Sequence, residues 1–294
     1  MTAPGRIWTV AEILSVTAGF LGKKGIPSPR LDAELLLGKV LDLPRVRLYI
    51  SFERELSAGE VDLYRELVRR RSRREPAAYI LGEKEFYSLP LKVTRATLIP
   101  RPETERLVDE ALLFAKDALA SPDGKGLSVC DVGTGCGAVA AALAANLPLA
   151  EVEASDVSPA ALECARENLA SLDLSRVLLA LGDLLDAPFQ ARDFDLVCAN
   201  LPYVPSSDIP GLPPDVRDYE PALALDGGEG GLELYLRLLP QAAARLRPRG
   251  ALLCECQPDQ FPALGREACR LGLMPRPPAE DLSGRDRIFS ATKP

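Results

Sequence analysis

One segment constrains this chain more than any other. Val129-Cys130-Asp131-Val132 reads as an apolar strand, and it runs directly into Gly133-Thr134-Gly135-Cys136-Gly137 and then an alanine-rich helix. Glycines at such a turn let the backbone adopt positive φ and approach a ligand closely. The surrounding texture agrees. Helical patterns at about 104–120, 136–147, 159–171, 231–246 and 258–271 alternate with strand patterns at 127–131, 151–155, 176–181, 194–199, 250–256 and 286–292. Strands alternating with helices predict an α/β fold, with a mostly parallel sheet and helices on both faces.

The first part of the chain has a different texture. Thr9 can cap a helix carrying Ile13, Leu14 and Phe20, and Ser28-Pro29 can start a second with Leu31, Leu35 and Leu36. Proline suits the first helical position, and serine and threonine accept orphan N–H groups. Ser57 with Glu60 forms a capping-box pattern that opens a third helix, through Val61, Tyr64 and Val68. We therefore expect a small helical bundle over residues 1–77. A hairpin or linker would follow over 78–100, and the α/β domain over 101–294.

Charge and residue content narrow the chemistry. The chain has 294 residues, a net charge of -7 and no histidine. The absence of histidine removes histidine bases and histidine metal ligands. Acidic residues form no ligand-spaced cluster, so no metal is expected. A net negative charge argues against gripping nucleic acid as the main task. The seven cysteines form no CxxC pair, and no stretch has the length and apolarity of a membrane helix. With no basic segment leading into an apolar run at the N-terminus, a cytoplasmic protein with reduced cysteines is expected.

Ligands of open parallel sheets bind beyond the carboxyl ends of the strands. Gly133, Thr134, Gly135, Cys136 and Gly137 sit at one such end, and Asp156 at the next, where a carboxylate can accept from both ribose hydroxyls. Asp183 follows the third strand, placed to accept from an adenine amino group, with Leu184 against the ring. Gly133, Gly135 and Ala138 also fit a dinucleotide fingerprint, so a nicotinamide enzyme stays open at this point.

The reaction end is Asn200-Leu201-Pro202-Tyr203, directly after the strand pattern Phe194-Asp195-Leu196-Val197-Cys198-Ala199. It suits methylation of a planar nitrogen. The Asn200 oxygen and a backbone carbonyl can accept the two N–H groups, and the Tyr203 ring can cover the flat face of the acceptor. A sulfonium methyl donor is already activated, so alignment and fixed dipoles suffice.

These blocks, in this order, resemble the PrmC/HemK family of release-factor glutamine N5-methyltransferases. The resemblance also runs through Glu75-Pro76, Tyr79-Ile80-Leu81-Gly82 and Phe86, and through Leu98-Ile99-Pro100-Arg101-Pro102-Glu103-Thr104-Glu105. It continues through Tyr219-Glu220-Pro221, Gly227-Gly228, Gly230-Gly231-Leu232 and Asp281-Leu282-Ser283-Gly284-Arg285-Asp286-Arg287. It implies a Rossmann-like methyltransferase sheet behind a small helical domain that docks class-1 release factors. It implies S-adenosylmethionine as donor, held by Gly133 to Gly137, Asp156, Asp183, Leu184 and Asn200. Asn200, Leu201, Pro202 and Tyr203 would bind the glutamine of a Gly-Gly-Gln motif, with Asn200, Pro202 and Tyr203 carrying catalysis. Arg101 and its neighbours would lie on the cofactor side, and Glu220 would shape the acceptor pocket. A monomer is expected. The family usually has proline where this chain has Leu201. The resulting NLPY is also similar to ribosomal RNA adenine N6-dimethylases, which leaves adenine N6-methylation of DNA or RNA as the alternative. The run Arg69-Arg70-Arg71 with Arg73-Arg74 reads as a solvated helix face, or as a contact for an acidic release factor.

Overall fold

The computed structural model describes residues 7–191, 193–281 and 284–294. Leu282 and Ser283 of the last family block lie outside them, as do the first six residues of the helical segment.

The chain forms two compact units. The first comprises Met1–Glu83 and a short segment from much later in the chain, Pro213–Tyr219. Its helices are Val10–Lys23, Pro29–Leu41, Arg45–Tyr49, Ala58–Ser72 and Ala77–Leu81, with a helical turn at Pro214–Arg217. Thr9 and Ser57 each close a capping box, with Glu12 and Glu60 returning to the cap N–H. Leu14, Leu21, Leu36, Leu37, Leu48 and Tyr64 are buried at the centre.

The arginine run is a solvated face only in part: Arg69 and Arg73 are exposed, whereas Arg71 is buried. Arg69 pairs with Glu66 and Arg70 with Glu75. Arg71 is buried between Asp32 at 2.6 Å and Asp215 at 3.0 Å, and Arg74 also pairs with Asp215. The Tyr219 hydroxyl donates to the Arg73 carbonyl at 2.6 Å. Pro213–Tyr219 is thus fastened into a unit that the sequence reading confined to residues 1–77.

The second unit holds Lys84–Leu212 and Glu220–Pro294. Among the described residues its sheet has eight strands. Seven run in the order Met274–Pro275, Asp286–Thr292, Leu246–Glu255, Phe194–Ala199, Ser128–Val132, Glu151–Asp156, Leu178–Leu181, and Ala279–Glu280 pairs beside Asp286–Thr292. The five strands from Leu246–Glu255 to Leu178–Leu181 are parallel, and Asp286–Thr292 is antiparallel to its neighbour. Glu105–Asp117, Ala138–Asn146, Pro159–Ser171, Glu233–Arg245 and Phe261–Arg270 are the flanking helices. Glu83–Phe86 with Leu89–Lys92 forms a separate two-stranded sheet, tied to the helix Pro159–Ser171 by Lys92 N donating to Asn168 Oδ1 at 2.7 Å.

The strand order reverses at Ser128–Val132. The next strand in sequence, Glu151–Asp156, lies on one side of it, and Phe194–Ala199 lies on the other. Beyond the carboxyl ends of these strands a crevice must open, because the connections leave in opposite directions.

Candidate active site

A cavity of about 580 Å³ occupies that crevice, a size typical of a small-molecule site. Its wall includes Gly133, Thr134, Gly135 and Cys136 from the first strand end, Asp156 from the second, Asp183 and Leu184 from the third, and Asn200, Leu201 and Pro202 from the fourth. Gly137 and Tyr203 are not part of the wall. Gly137 instead caps the helix Ala138–Asn146, and Tyr203 turns toward Glu255.

Backbone geometry explains the glycine turn. Gly135 has φ +57°, and a Cβ there would meet no protein atom within 4 Å. Space that no side chain fills is what a close-lying ligand requires. Beneath it, Asp131 is buried and accepts from Thr134 Oγ1 at 2.6 Å and Ala140 N at 3.1 Å. Burial pushes its pKa up to about 6, against the pull of those two bonds.

Asp156 accepts from Gly135 N and Ser158 N, both at 2.9 Å. Burial raises its pKa, and these backbone bonds oppose the shift. A carboxylate has about four acceptor sites, so capacity for ribose hydroxyls remains. Asp183 is ion-paired to Arg237 through Oδ2. Leu184 holds φ +52°, a conformation that costs a non-glycine residue about 1–2 kcal/mol. The Ser155 hydroxyl fixes its carbonyl at 3.0 Å, and Leu185 N is held by Gln241 Oε1 at 2.8 Å. Strain kept in place from both sides is characteristic of ligand sites. Open space at Gly135 and an acceptor at Asp156 fit a nucleoside-bearing cofactor.

At the fourth strand end, Asn200 Nδ2 donates to Thr104 Oγ1 at 3.0 Å. Among the described residues its Oδ1 accepts nothing, and Asn200 lines the cavity. The Leu201 N–H, which proline would lack, donates to the buried Tyr235 hydroxyl at 3.1 Å. The Leu201 carbonyl lies 3.3 Å from that same oxygen. Tyr203 donates to Glu255 Oε1 at 3.0 Å. Burial above all, and then the adjacent Glu255 carboxylate, raise the Tyr203 pKa, so its hydroxyl keeps its proton.

Several supporting residues escaped the sequence reading. Thr104 and Glu255 hold the two ends of Asn200 to Tyr203. Gln260 Nε2 donates to the Tyr203 carbonyl at 2.9 Å and to the Gly230 carbonyl at 3.0 Å. Gly231 passes so close that a Cβ would lie 2.0 Å from the Tyr203 oxygen. The doubled glycines were the available signal, since such runs mark close backbone approach. Glu220 is buried, accepts from Ile99 N at 3.1 Å and pairs with Arg101. It therefore anchors the segment leading to Thr104.

Comparison with known proteins adds the family. Residues 12–82 match the PrmC N-terminal domain family, and residues 129–217 match a methyltransferase domain family. The chain is 41% identical to the release factor glutamine methyltransferase of Geobacter sulfurreducens, over 98% of each protein. It is 44% identical to that of Moorella thermoacetica, over 96% of this chain and 98% of the relative. Among solved structures, the hMettl16 catalytic domain bound to an RNA hairpin matches with a TM-score of 0.55. That match has 18% identity and covers 74% of this chain and 80% of the other. A methyltransferase from Pyrococcus furiosus matches with a TM-score of 0.51 and 18% identity, over 70% and 89%. These two likenesses describe the fold alone. No helix among the described residues is long and apolar enough to cross a membrane.

Proposed function

Because the chain belongs to the release factor glutamine methyltransferase family, we propose that it methylates the side-chain amide nitrogen of the Gly-Gly-Gln glutamine in class-1 peptide chain release factors. The observation that carries this reading is the Asn200 amide. Its nitrogen is tied back to Thr104, and its oxygen is left at the cavity wall. S-adenosylmethionine, when bound, supplies a methyl group already activated by its sulfonium charge. Gly133, Thr134, Gly135, Cys136 and Asp156 would hold it, with Asp183 and Leu184 toward its base.

The chain's own residues then have an aligning task. Asn200 Oδ1 accepts one N–H of the glutamine amide, and a carbonyl of the same loop accepts the other. With both protons held, the amide lone pair turns toward the donor side of the cavity. Tyr203, turned toward Glu255 and away from the cavity wall, fixes the end of the loop. Alignment of this kind supplies about 7–11 kcal/mol in favourable systems. Dipoles fixed before reaction stabilise the positive charge that grows on nitrogen.

The helical unit would serve as the docking domain, which the match to the PrmC N-terminal domain supports. Seven free cysteines suit a reducing cytoplasm. The test is mass spectrometry of a purified release factor after incubation with the protein and donor. One added methyl group on the Gly-Gly-Gln peptide is expected. An unmodified peptide, with donor binding verified by calorimetry, would overturn the reading and turn attention to adenine.

A further inference from the structure

Two side-chain paths, from Asn200 and from Tyr203, lead toward one carboxylate. Glu255 ends the strand Leu246–Glu255 and is 1% exposed. Tyr203 donates to its Oε1 at 3.0 Å. On the other path, Asn200 Nδ2 donates to Thr104 Oγ1 at 3.0 Å. The Thr104 side chain lies beside the same carboxylate without a direct hydrogen bond to it; burial raises the Glu255 pKa, and Thr104, Tyr203 and the Arg287 charge pull it back down. Glu255 Oε2 is buried, and among the described residues it has no hydrogen-bond partner. A buried acceptor left open is costly, so a stable fold keeps one only where something compensates.

We infer that Glu255 is a positioning residue of the methyl transfer, a buried acceptor that sets the direction of the hydrogen-bond chain and thereby holds the Asn200 amide with its oxygen toward the acceptor. Ionised, this carboxylate only accepts, so Tyr203 points its proton at Oε1, and Thr104, turning to the open Oε2, must do the same. With its proton so committed, Thr104 can offer only its oxygen to Asn200. Asn200 must then present its NH2 to Thr104 and its oxygen to the cavity. An amide at position 255 would undo this order. Its own NH2 could donate to Thr104, Thr104 would donate to Asn200, and the Asn200 amide would turn over. Its two N–H groups would then confront the N–H groups of the substrate amide. The inference rests on the proposed reaction, because only an amide or amine acceptor needs an oxygen there.

Glu255→Gln in the full chain tests it, with wild type assayed in parallel on release factor and S-adenosylmethionine. We expect kcat to fall at least about tenfold, the loss typical of one misdirected group in a pre-aligned site. Donor Kd and KM for the release factor should stay within about threefold, and Tm should hold or rise. Thr104→Val breaks the same chain without touching the carboxylate, and gives the same kcat–KM split should Glu255→Gln fold poorly. A second readout is independent of turnover. The Asn200 side-chain NH2 resonances, identified by their loss in Asn200→Asp, should be protected from exchange in wild type and lose protection in both variants. Wild-type kcat in Glu255→Gln, or unchanged amide protection, would overturn the inference. Inactive wild type with the expected protection changes would instead refute the reaction assignment alone.

Discussion

The Tyr235 hydroxyl accepts the Leu201 N–H at 3.1 Å, inside the buried floor beneath Asn200 to Tyr203. Tyr235 also donates to the Glu255 carbonyl. The N–H that distinguishes leucine from proline at this position is therefore already satisfied. Tyr235→Phe should cost about 1–3 kcal/mol, because it orphans a buried donor and a buried acceptor. In a Leu201→Pro background the same change should cost less, since no N–H remains to be orphaned. A double-mutant cycle by chemical denaturation would measure the coupling, and additive losses would contradict it.

Asn200→Ala should collapse transfer while leaving the donor site largely intact. The unpaired glutamine amide should raise the barrier by about 1–3 kcal/mol or more. Single-turnover kinetics paired with calorimetric donor titration would separate the two effects. Equal losses in both would place Asn200 mainly in donor binding.

Two glycines should fail differently. Gly135→Ala and Gly231→Ala each force alanine into a left-handed backbone, at φ +57° and +70°, at about 1–2 kcal/mol apiece. The Gly135 methyl enters open space on the cavity side, so donor affinity should drop with little further loss of stability. The Gly231 methyl collides with the Tyr203 carbonyl, so stability and kcat should fall together. Thermal melts and donor titration on the two proteins would show the contrast, and matching profiles would defeat it.

Asp131 gives the stability a pH signature. Its pKa is raised by burial from 3.8 to about 6 in the folded chain. Between those values the native state binds more protons than the unfolded state, so this group's contribution falls as pH rises. Two pKa units correspond to about 3 kcal/mol. Wild type should lose stability relative to Asp131→Asn by about that amount between pH 4 and pH 6.5. A difference independent of pH would show that the carboxyl ionises without penalty.

Asp215→Ala should destabilise the helical unit. Arg71 would keep Asp32 and the Glu75 carbonyl, and Arg74 would lose its carboxylate and keep the Gly25 carbonyl. Removing one partner of a buried pair costs about 3–5 kcal/mol, and retention of Asp32 points to the lower end. Urea denaturation would measure it, and a change under about 0.5 kcal/mol would mean the segment is held by other contacts.

Much of this was legible in the sequence, for physical reasons that can be named. Phe194–Ala199 and Asp286–Thr292 are found where the strand patterns put them, and Pro159–Ser171 where the helix pattern did. Capping chemistry is local, so Thr9 and Ser57 announced their helices. Asn200 was evident because it follows directly on an apolar strand. Glu255 was not, since a glutamate between two cysteines at a strand end reads as the solvent face of an alternating strand. Thr104 was visible only as part of a family block. The Arg71 pairing with Asp215 joins residues far apart in the chain, and no local pattern reports it. A run of arginines next to glutamates reads as solvated until its distant partner is known.

The fastening of Pro213–Tyr219 by Arg71, Arg74 and Tyr219 has a consequence for engineering and for descent. The helical unit is not a removable cassette. A chimera joined only near residue 83 would bring a foreign bundle lacking a seat for Asp215, and would strand a carboxylate on the catalytic chain. Any successful exchange must carry both pieces at once, so the two parts of this gene should tolerate recombination only as a matched pair.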